Sequence, residues 1–148
     1  MRRALLAAAG AAALLAGCGG GDDGTLSAAE YRAQASRICT DTQRQTDALG
    51  RPKKTSEFKI FLQRGLRVTD RNLQRFSALK PPKDLEDEHN AIIAGERAGQ
   101  EQLRELSREL HGDARDIALL RRVQPRLAKL SGETDARYRA AGLTRCAR

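Results

Sequence analysis

Residues 84–112 read DLEDEHNAIIAGERAGQEQLRELSRELHG, and this stretch decides the fold. Its inner positions recur at steps of four and three residues, which is the spacing of one face of a long α-helix. That face consists of Leu85, His89, Ile92, Glu96, Gly99, Leu103, Leu106 and Leu110. Such a seam predicts packing against another long helix at a shallow angle. Asp84 is the expected N-cap of this helix, and Gly112 is its expected left-handed end.

Two more amphipathic segments precede this stretch. Ser27 and Glu30 form the Ser-x-x-Glu pattern of a capping box, which predicts that a first helix begins there. Thr55 or Ser56 is the expected cap of a second helix, whose apolar face is broad. The Pro-Pro pair after residue 80 ends that helix, because proline cannot continue it and disfavours helical geometry in the preceding residue.

A fourth segment follows Asp113 and keeps one helical phase across Pro125. The unbroken phase predicts a single long helix kinked at Pro125, and the alternative is two shorter helices that meet at Gln124. Gly142 followed by Leu143 fits a Schellman-type ending. Since no stretch alternates apolar and polar residues as a strand would, the sequence predicts an all-α, up-down-up-down four-helix bundle over residues 26–148.

The start of the chain has the pattern of a secretory signal peptide. Arg2 and Arg3 precede an apolar run over residues 4–16, which is shorter than the roughly 20 residues that a membrane span needs. The run leads into Leu-Ala-Gly-Cys at residues 15–18. These features predict a leader over residues 1–17, and a Gly-rich flexible tether over residues 18–25 that precedes the bundle domain.

Leu-Ala-Gly-Cys resembles the lipobox of bacterial lipoproteins. That resemblance implies a diacylglycerol thioether on Cys18, cleavage after Gly17, and usually acylation of the new amino terminus. The alternative is an ordinary signal peptide in which Cys18 is incidental. With the resemblance, the expected location is the extracytoplasmic side of a cell membrane or outer envelope, and the expected partner is the membrane itself, through the acyl chains on Cys18.

Charge is spread along the chain. Its 27 basic and 19 acidic side chains give a net charge of +8, of which Arg2 and Arg3 belong to the leader. Because the two signs are interspersed, the surface does not resemble a nucleic-acid-binding stripe, and we expect no nucleic-acid partner. The net positive charge is compatible with an acidic envelope polymer or an envelope protein as a partner.

With Cys18 assigned to lipid, Cys39 and Cys146 remain as an even pair in an oxidising compartment. A disulfide is the favoured interpretation, and the alternatives are two free thiols or a metal pair. The domain resembles small exported helical proteins of high-GC bacteria. The resemblance rests on a first-helix Tyr31, Ala35, Ile38, Cys39 set, a Leu79-Lys80-Pro81-Pro82 turn and a Gly142-Leu143-x-x-Cys146 ending. It implies the helical fold and the disulfide, and it implies no activity.

No catalytic set is evident in the sequence. Glu86 and His89 form one Glu-x-x-His pair, but a di-iron bundle needs two such pairs, and His111 has Arg108 at the matching position. We therefore expect Glu86 to be a partner of the helix dipole and His89 to be a packing residue. The chain offers no Ser-His-Asp set, haem motif or phosphate-binding loop, so we expect neither enzymatic activity nor a cofactor.

Gly95 and Gly99 leave room for a groove halfway along the third helix. Glu96 lies between them and is expected to pair with an arginine or to reach solvent, or else to be a buried acid. The favoured function is a lipid-anchored, non-enzymatic binding or interaction module of the cell envelope. The alternative is a small-molecule or metal carrier that uses this groove, with His89 and Glu96 as its polar groups.

Overall fold

The computed structural model describes residues 24–147 and confirms an all-α four-helix bundle. The four helices are α1 (Ala28–Asp47), α2 (Phe58–Ser77), α3 (Glu86–Glu109) and α4 (Arg115–Ala140). Short 3₁₀ helices at Thr55–Glu57 and Lys83–Leu85 lead into α2 and α3. No strand occurs among these described residues. The predicted leader, Cys18 and most of the tether lie outside them.

The helices run up, down, up and down. At one pole, the Leu26 N–H donates to the Lys80 carbonyl at 2.9 Å, which joins the start of α1 to the end of α2. At the opposite pole, Lys59 Nζ donates to the Leu110 carbonyl at 3.1 Å, which joins the start of α2 to the end of α3. Extensive helix packing within residues 24–147 is confined to consecutive helices, so α1 and α4 form the two open edges of the bundle.

The start of α1 confirms the predicted capping box. The Glu30 N–H donates to Ser27 Oγ at 3.3 Å, and the Ser27 N–H donates to Glu30 Oε2 at 2.9 Å. The Ser27 hydroxyl and N–H hold the pKa of Glu30 below its usual value. This cap fixes the entry of α1 so that Tyr31, in its first turn, points into the core.

The predicted caps of α2 and α3 are wrong, because 3₁₀ turns replace them. Neither helix has a side-chain cap. At α3, Pro82 is extended, and the chain turns from there through a Leu85 N–H bond to the Pro82 carbonyl at 2.9 Å. This turn buries Leu85, whereas Asp84 stays exposed. Burial of an apolar side chain therefore decides the geometry at a site where the sequence suggested a carboxylate cap.

The turn between α3 and α4 is closed by Asp116. Its carboxylate is 1% exposed and accepts the His111 N–H at 3.0 Å and the Gly112 N–H at 2.7 Å. These two backbone donors hold the pKa of Asp116 below its usual value. Gly112 has a φ of 89°, but α3 already ends at Glu109, so this glycine shapes the turn and does not cap the helix.

Helix α4 is continuous through Pro125, which excludes two separate helices. Its end is the predicted Schellman motif. The Leu143 N–H donates to the Tyr138 carbonyl at 2.8 Å, and the Gly142 N–H donates to the Arg139 carbonyl at 2.9 Å. Gly142 adopts a φ of 75°, and Leu143 folds back to become completely buried.

The core divides into two apolar clusters along the bundle axis. The larger cluster surrounds Tyr31 and Ile92, at the pole that holds the start of α1. The smaller cluster surrounds Leu106 and Leu110, towards the opposite pole. Between them α3 presents residues 95–103, which contain the two glycines, and the packing there is open.

Candidate functional site

A groove of about 480 Å³ occupies the gap between the two core clusters. All four helices and the segment after α4 contribute to its lining. Its apolar lining includes Ile38, Leu73, Phe76, Leu103, Leu127 and Leu130. Ligand pockets in proteins commonly have volumes of about 300–1,000 Å³ and walls that are mostly apolar with a few polar groups. The groove fits this description in volume, and apolar groups supply more than half of its lining.

Gly95 and Gly99 both line the groove, but they have different structural roles. A side chain at Gly95 would overlap Thr134 Oγ1, so this glycine lets α4 approach α3 closely. A Cβ at Gly99 would meet nothing within 4 Å. Gly99 therefore keeps the groove open, whereas Gly95 fixes the spacing of the two helices beside it.

Glu96 lies between the two glycines, and its carboxylate lines the groove. Glu96 Oε1 accepts a hydrogen bond from the Tyr138 hydroxyl at 3.0 Å. Tyr138 is buried on α4, so this bond joins α3 to α4 at the groove wall. The sequence suggested an arginine partner, solvent contact or a buried acid for Glu96, and the hydrogen bond to a tyrosine was not anticipated.

Gln100 is a groove residue that the sequence analysis missed. Its side chain is 5% exposed and lines the groove, and its Nε2 has no hydrogen-bond partner in the described structure. Its Oε1 accepts from Arg104 Nη2 at 3.4 Å, and the same guanidinium nitrogen lies 2.6 Å from Asp70 Oδ1. This contact favours the observed amide orientation, because the flipped amide would place an NH₂ group against a guanidinium donor. Gln100 Nε2 is therefore a buried N–H donor without a hydrogen-bond partner in the described part of the chain.

His89 lies in the larger core cluster and is not among the groove-lining residues. It is 4% exposed, its Nδ1 is 3.1 Å from the Tyr31 hydroxyl, and its ring stacks on Phe76 with centroids 5.3 Å apart. Burial lowers the pKa of His89 and raises the pKa of Tyr31 to about 12. The structure therefore brings Gly95, Glu96 and Gly99 together at the groove and places His89 in the packed interior.

The buried imidazole is expected to make stability depend on pH. In the unfolded chain His89 titrates near its ordinary pKa of about 6.5, so below that pH the unfolded state binds more protons than the folded state. The contribution of neutral His89 to the free energy of unfolding is complete above about pH 6.5. It is lost as the pH falls through the lower pKa that His89 has in the folded protein. Urea unfolding at about pH 7.5 and about pH 5 measures this loss, and the window lies above the range in which carboxylates titrate.

His89→Gln should remove most of this loss of stability at low pH. His111→Gln should leave the loss of stability unchanged, because His111 is exposed. The two variants are matched, since these are the two histidines of the chain. If His89→Gln kept the full pH dependence between those two values, titration of the buried imidazole would not be its source.

Cys39 and Cys146 are joined by a disulfide, with their Cα atoms 5.2 Å apart. This bond confirms the favoured interpretation and excludes free thiols or a metal pair. Both cysteines line the groove. Nearby, Arg32 Nε donates to the Ala141 carbonyl at 2.9 Å, so the chain after α4 is held against α1. The disulfide and this hydrogen bond close one end of the open edge between α1 and α4.

The described residues contain no group of three or more His, Cys, Asp or Glu side chains positioned to hold a metal ion. Glu86, the other half of the Glu-x-x-His pair, is exposed on the first turn of α3. Within residues 24–147, none of the helices has the length and apolar content that crossing a membrane would require.

Comparison with models of protein families, with curated proteins and with solved structures finds no match to this chain. The class that the fold and the site define is an all-α, disulfide-linked four-helix bundle with a groove between its helices.

Proposed function

We propose that this protein is a lipid-anchored, non-enzymatic binding protein of the cell envelope, and that it holds a small, mainly apolar molecule in the groove between its helices. The observation that carries the proposal is the groove of about 480 Å³ that divides the core. Closed packing is the usual state of a protein interior, and cavities much larger than a water molecule are few in each domain. A groove of this volume with a mostly apolar lining is typical of a ligand site.

The hydrogen bonds of three threonine hydroxyls in the groove support binding over catalysis at these positions. Thr42, Thr69 and Thr134 each donate to a backbone carbonyl of their own helix, at 2.8, 3.1 and 2.9 Å. A nucleophilic hydroxyl needs an adjacent general base to be activated, and these three donate instead to carbonyl oxygens. These three hydroxyl groups therefore line the groove with their protons already bonded to the backbone.

The envelope location rests on the leader and the disulfide. Leu-Ala-Gly-Cys at residues 15–18 resembles a lipobox, and disulfides persist in compartments outside the reducing cytosol. The described chain begins at Gly24, near the pole where α1 starts. With acyl chains on Cys18, the seven tether residues 19–25 would join the membrane to that pole. The bundle and its groove would then lie close to the bilayer surface.

Replacing Cys18 by serine is expected to release the protein from membranes. Acylation needs the thiol, and two or more acyl chains give the stable attachment that one chain does not. The measurement is detergent partitioning of the host's membranes together with labelling by radioactive palmitate. Gly21→Ser is the matched control, because it introduces a serine close to Cys18 and leaves both the lipobox and the disulfide intact. Unchanged membrane retention and unchanged labelling of Cys18→Ser would contradict lipid anchoring.

Filling the groove should abolish binding of an apolar probe. Gly99→Leu places a side chain where a Cβ meets nothing within 4 Å, so it occupies the groove without a clash at its first atom. Gly132→Leu is the matched control, since Gly132 is an exposed helical glycine with equally free space around its Cβ.

The measurement is fluorescence of the uncharged dye N-phenylnaphthylamine, added to the full chain in an amphipathic polymer, with the polymer alone as blank. We expect bright, saturable fluorescence with the wild type and Gly132→Leu, and a loss of more than about tenfold in affinity with Gly99→Leu, which corresponds to about 1.4 kcal/mol. Equal binding by all three proteins would place the dye elsewhere and would count against the groove as the binding site.

A further inference from the structure

Resting on the proposed location in the envelope, we infer that one face of α4 docks on the surface of an anionic phospholipid bilayer. This docking face consists of exposed residues that recur at steps of three and four along the helix, which are Ile117, Arg121, Pro125, Ala128 and Gly132. The contact is made by the folded domain itself. It is therefore a second membrane contact, in addition to the acyl chains on Cys18.

The first argument is the apolar surface at the docking face. Ile117 and Leu120 line a shallow apolar groove along α4, and no helix of the described residues covers it. Ile117 is one of two large apolar side chains that are exposed in the described part of the chain. Pro125 and Ala128 continue the face with apolar side chains that are also exposed. Exposed apolar surface of this kind, rimmed by polar residues, marks a site of contact with a protein or a membrane.

The second argument is charge. The segment 117–132 has four basic side chains and no acidic one, and the basic ones are Arg121, Arg122, Arg126 and Lys129. All four are exposed, and Arg121 and Arg126 form no ion pair with the described residues. A basic amphipathic helix is typical of proteins that lie on membranes, because anionic headgroups attract its charges and its apolar side chains enter the headgroup layer.

The third argument is the position of the docking face relative to the anchor. Arg32 Nε donates to the Ala141 carbonyl at 2.9 Å, so the end of α4 lies at the pole where α1 starts and the tether enters. The tether residues 19–25 span about 15 Å, and the segment 117–132 is about 22 Å long. A domain held at this pole can therefore lie on its side, with α4 along the bilayer surface.

The docking face borders the ligand groove. Leu127 and Ser131 line both the shallow groove on α4 and the groove of about 480 Å³. With α4 on the bilayer, the ligand groove would open beside the lipid, and an apolar molecule would pass between the two with little exposure to water. Docking therefore gives the proposed binding protein a route to apolar molecules dissolved in the membrane.

A second copy of the chain and an acidic envelope polymer fit the docking face less well. A two-fold symmetric dimer uses the same patch on both copies, so it would bring the basic side chains of the two copies together, and like charges repel. An acidic polymer would pair with the basic side chains, but it offers no apolar layer for Ile117 and Leu120. An anionic bilayer offers both the negative charge and the apolar layer.

The test places a fluorescent reporter in the docking face. Since the chain has no tryptophan, Ile117→Trp introduces a single one and keeps an apolar side chain at that position. Ala33→Trp is the matched control, because Ala33 is exposed on α1 close to the tethered pole. Each acylated protein is reconstituted into vesicles of phosphatidylcholine, or of phosphatidylcholine and phosphatidylglycerol in equal parts, with dibrominated phosphatidylcholine as the quencher. Circular dichroism verifies that each variant is folded.

We expect the anionic vesicles to distinguish the two reporters. With phosphatidylglycerol present, the tryptophan of Ile117→Trp should emit at shorter wavelength and should be quenched by the brominated lipid. In phosphatidylcholine alone, both effects should be much weaker, because the headgroups carry no net charge. The tryptophan of Ala33→Trp should stay unquenched in both kinds of vesicle, although it lies nearer the anchor.

Removing basic side chains from α4 should release the docking face. Arg121→Gln and Lys129→Gln, added to Ile117→Trp, should lower the ratio of docked to undocked protein by about tenfold or more, since each lost cation weakens the attraction to the headgroups. Arg67→Gln with Lys83→Gln is the matched control. It removes the same two types of charge from exposed positions outside α4 and should leave the quenching nearly unchanged.

Equal quenching of the two reporters, equal quenching in the two kinds of vesicle, or equal effects of the two pairs of charge changes would overturn the inference. A shift of the Ile117→Trp emission that grows with protein concentration in detergent, without quenching by brominated lipid, would assign the face to a second copy and would also overturn it. If the wild type still floats with the vesicles in these cases, the lipid anchor stands. A wild type that floats with neither kind of vesicle would contradict the anchor itself.

Discussion

Replacing Cys39 and Cys146 together by serine is expected to lower the free energy of unfolding by about 4–5 kcal/mol. The two cysteines are 107 residues apart in the chain. In the chain-entropy account a disulfide stabilises mainly by restricting the unfolded state, and a loop of about 100 residues gives about 4.7 kcal/mol. Since whole domains are stable by only about 5–15 kcal/mol, this single bond would supply a large part of the total.

The contacts around the disulfide explain why its loss would also affect the folded structure. The segment after α4 is held by the bond to α1 and by burial of Leu143. Extensive helix packing within the described residues joins consecutive helices only, so this segment is a principal link between the two edges of the bundle. Without the bond, α1 and the end of α4 would rely on Leu143, Ala141 and the Arg32 hydrogen bond.

Urea unfolding of the oxidised wild type, the reduced wild type and the double serine variant measures this effect. The reduced wild type and the variant should unfold at similar, much lower urea concentrations than the oxidised protein. Adding reductant to the variant serves as the control and should change nothing. If the oxidised and reduced wild type unfolded at the same urea concentration, the bridge would contribute nothing to stability and this part of the account would be wrong.

Gly95→Ala and Gly99→Ala should change stability in opposite directions. At Gly95 the new methyl group would overlap Thr134 Oγ1, and overpacking of this kind typically costs about 1–3 kcal/mol. At Gly99 the methyl group meets nothing within 4 Å, and replacing a glycine inside a helix by alanine gains about 0.5–1 kcal/mol. The two substitutions are chemically identical and lie one helical turn apart, so each is the control for the other.

Thermal unfolding of both variants tests the sign of each change. Adding Thr134→Ala to Gly95→Ala should recover part of the loss, because it removes the overlapping hydroxyl, and the same addition to Gly99→Ala should bring no comparable recovery. Two losses of equal size, or a Gly95→Ala loss that Thr134→Ala does not relieve, would mean that α3 and α4 are not in close contact at Gly95.

Helical periodicity was sufficient to predict the architecture. Between residues 85 and 110, five of the positions predicted to face inward are buried, which are Leu85, His89, Ile92, Leu106 and Leu110. Gly99 and Glu96, which break that apolar face, mark the place where the core opens. A 3.6-residue period is a local property, so it can be read from one segment without knowing its neighbours.

The sequence did not predict features that depend on contacts between segments. The helical phase that runs through Pro125 places Ile117 on the inner face of α4, but Ile117 is 47% exposed, and Leu119 is buried instead. The start of α4 is set by Asp116, whose carboxylate folds back onto the α3–α4 turn. Ile117 shares one face of α4 with Leu120 and Leu127, and this face forms a shallow apolar groove beside Phe58 that no helix of the described residues covers. Periodicity measured over a whole helix does not show which part of an apolar face is left uncovered.

Gln100 shows the same limit at the candidate site. Glutamine is usually exposed, and nothing in its immediate sequence marks it as buried. Its placement depends on Arg104, which an aspartate of α2 holds in position at 2.6 Å. The i, i+4 spacing from Glu96 was the available signal, because it places both side chains on one face of α3. Only the three-dimensional structure shows that this face of α3 borders the groove.

The most direct test of the central claim is native mass spectrometry of the full-length protein purified from the membranes of its own host, with Gly99→Leu and Gly132→Leu prepared in the same way. We expect a bound small molecule, beyond the mass of the acylated chain, on the wild type and on Gly132→Leu, and its loss from Gly99→Leu. The same bare mass for all three proteins, or the same adduct on all three, would contradict the claim that the groove is a ligand site.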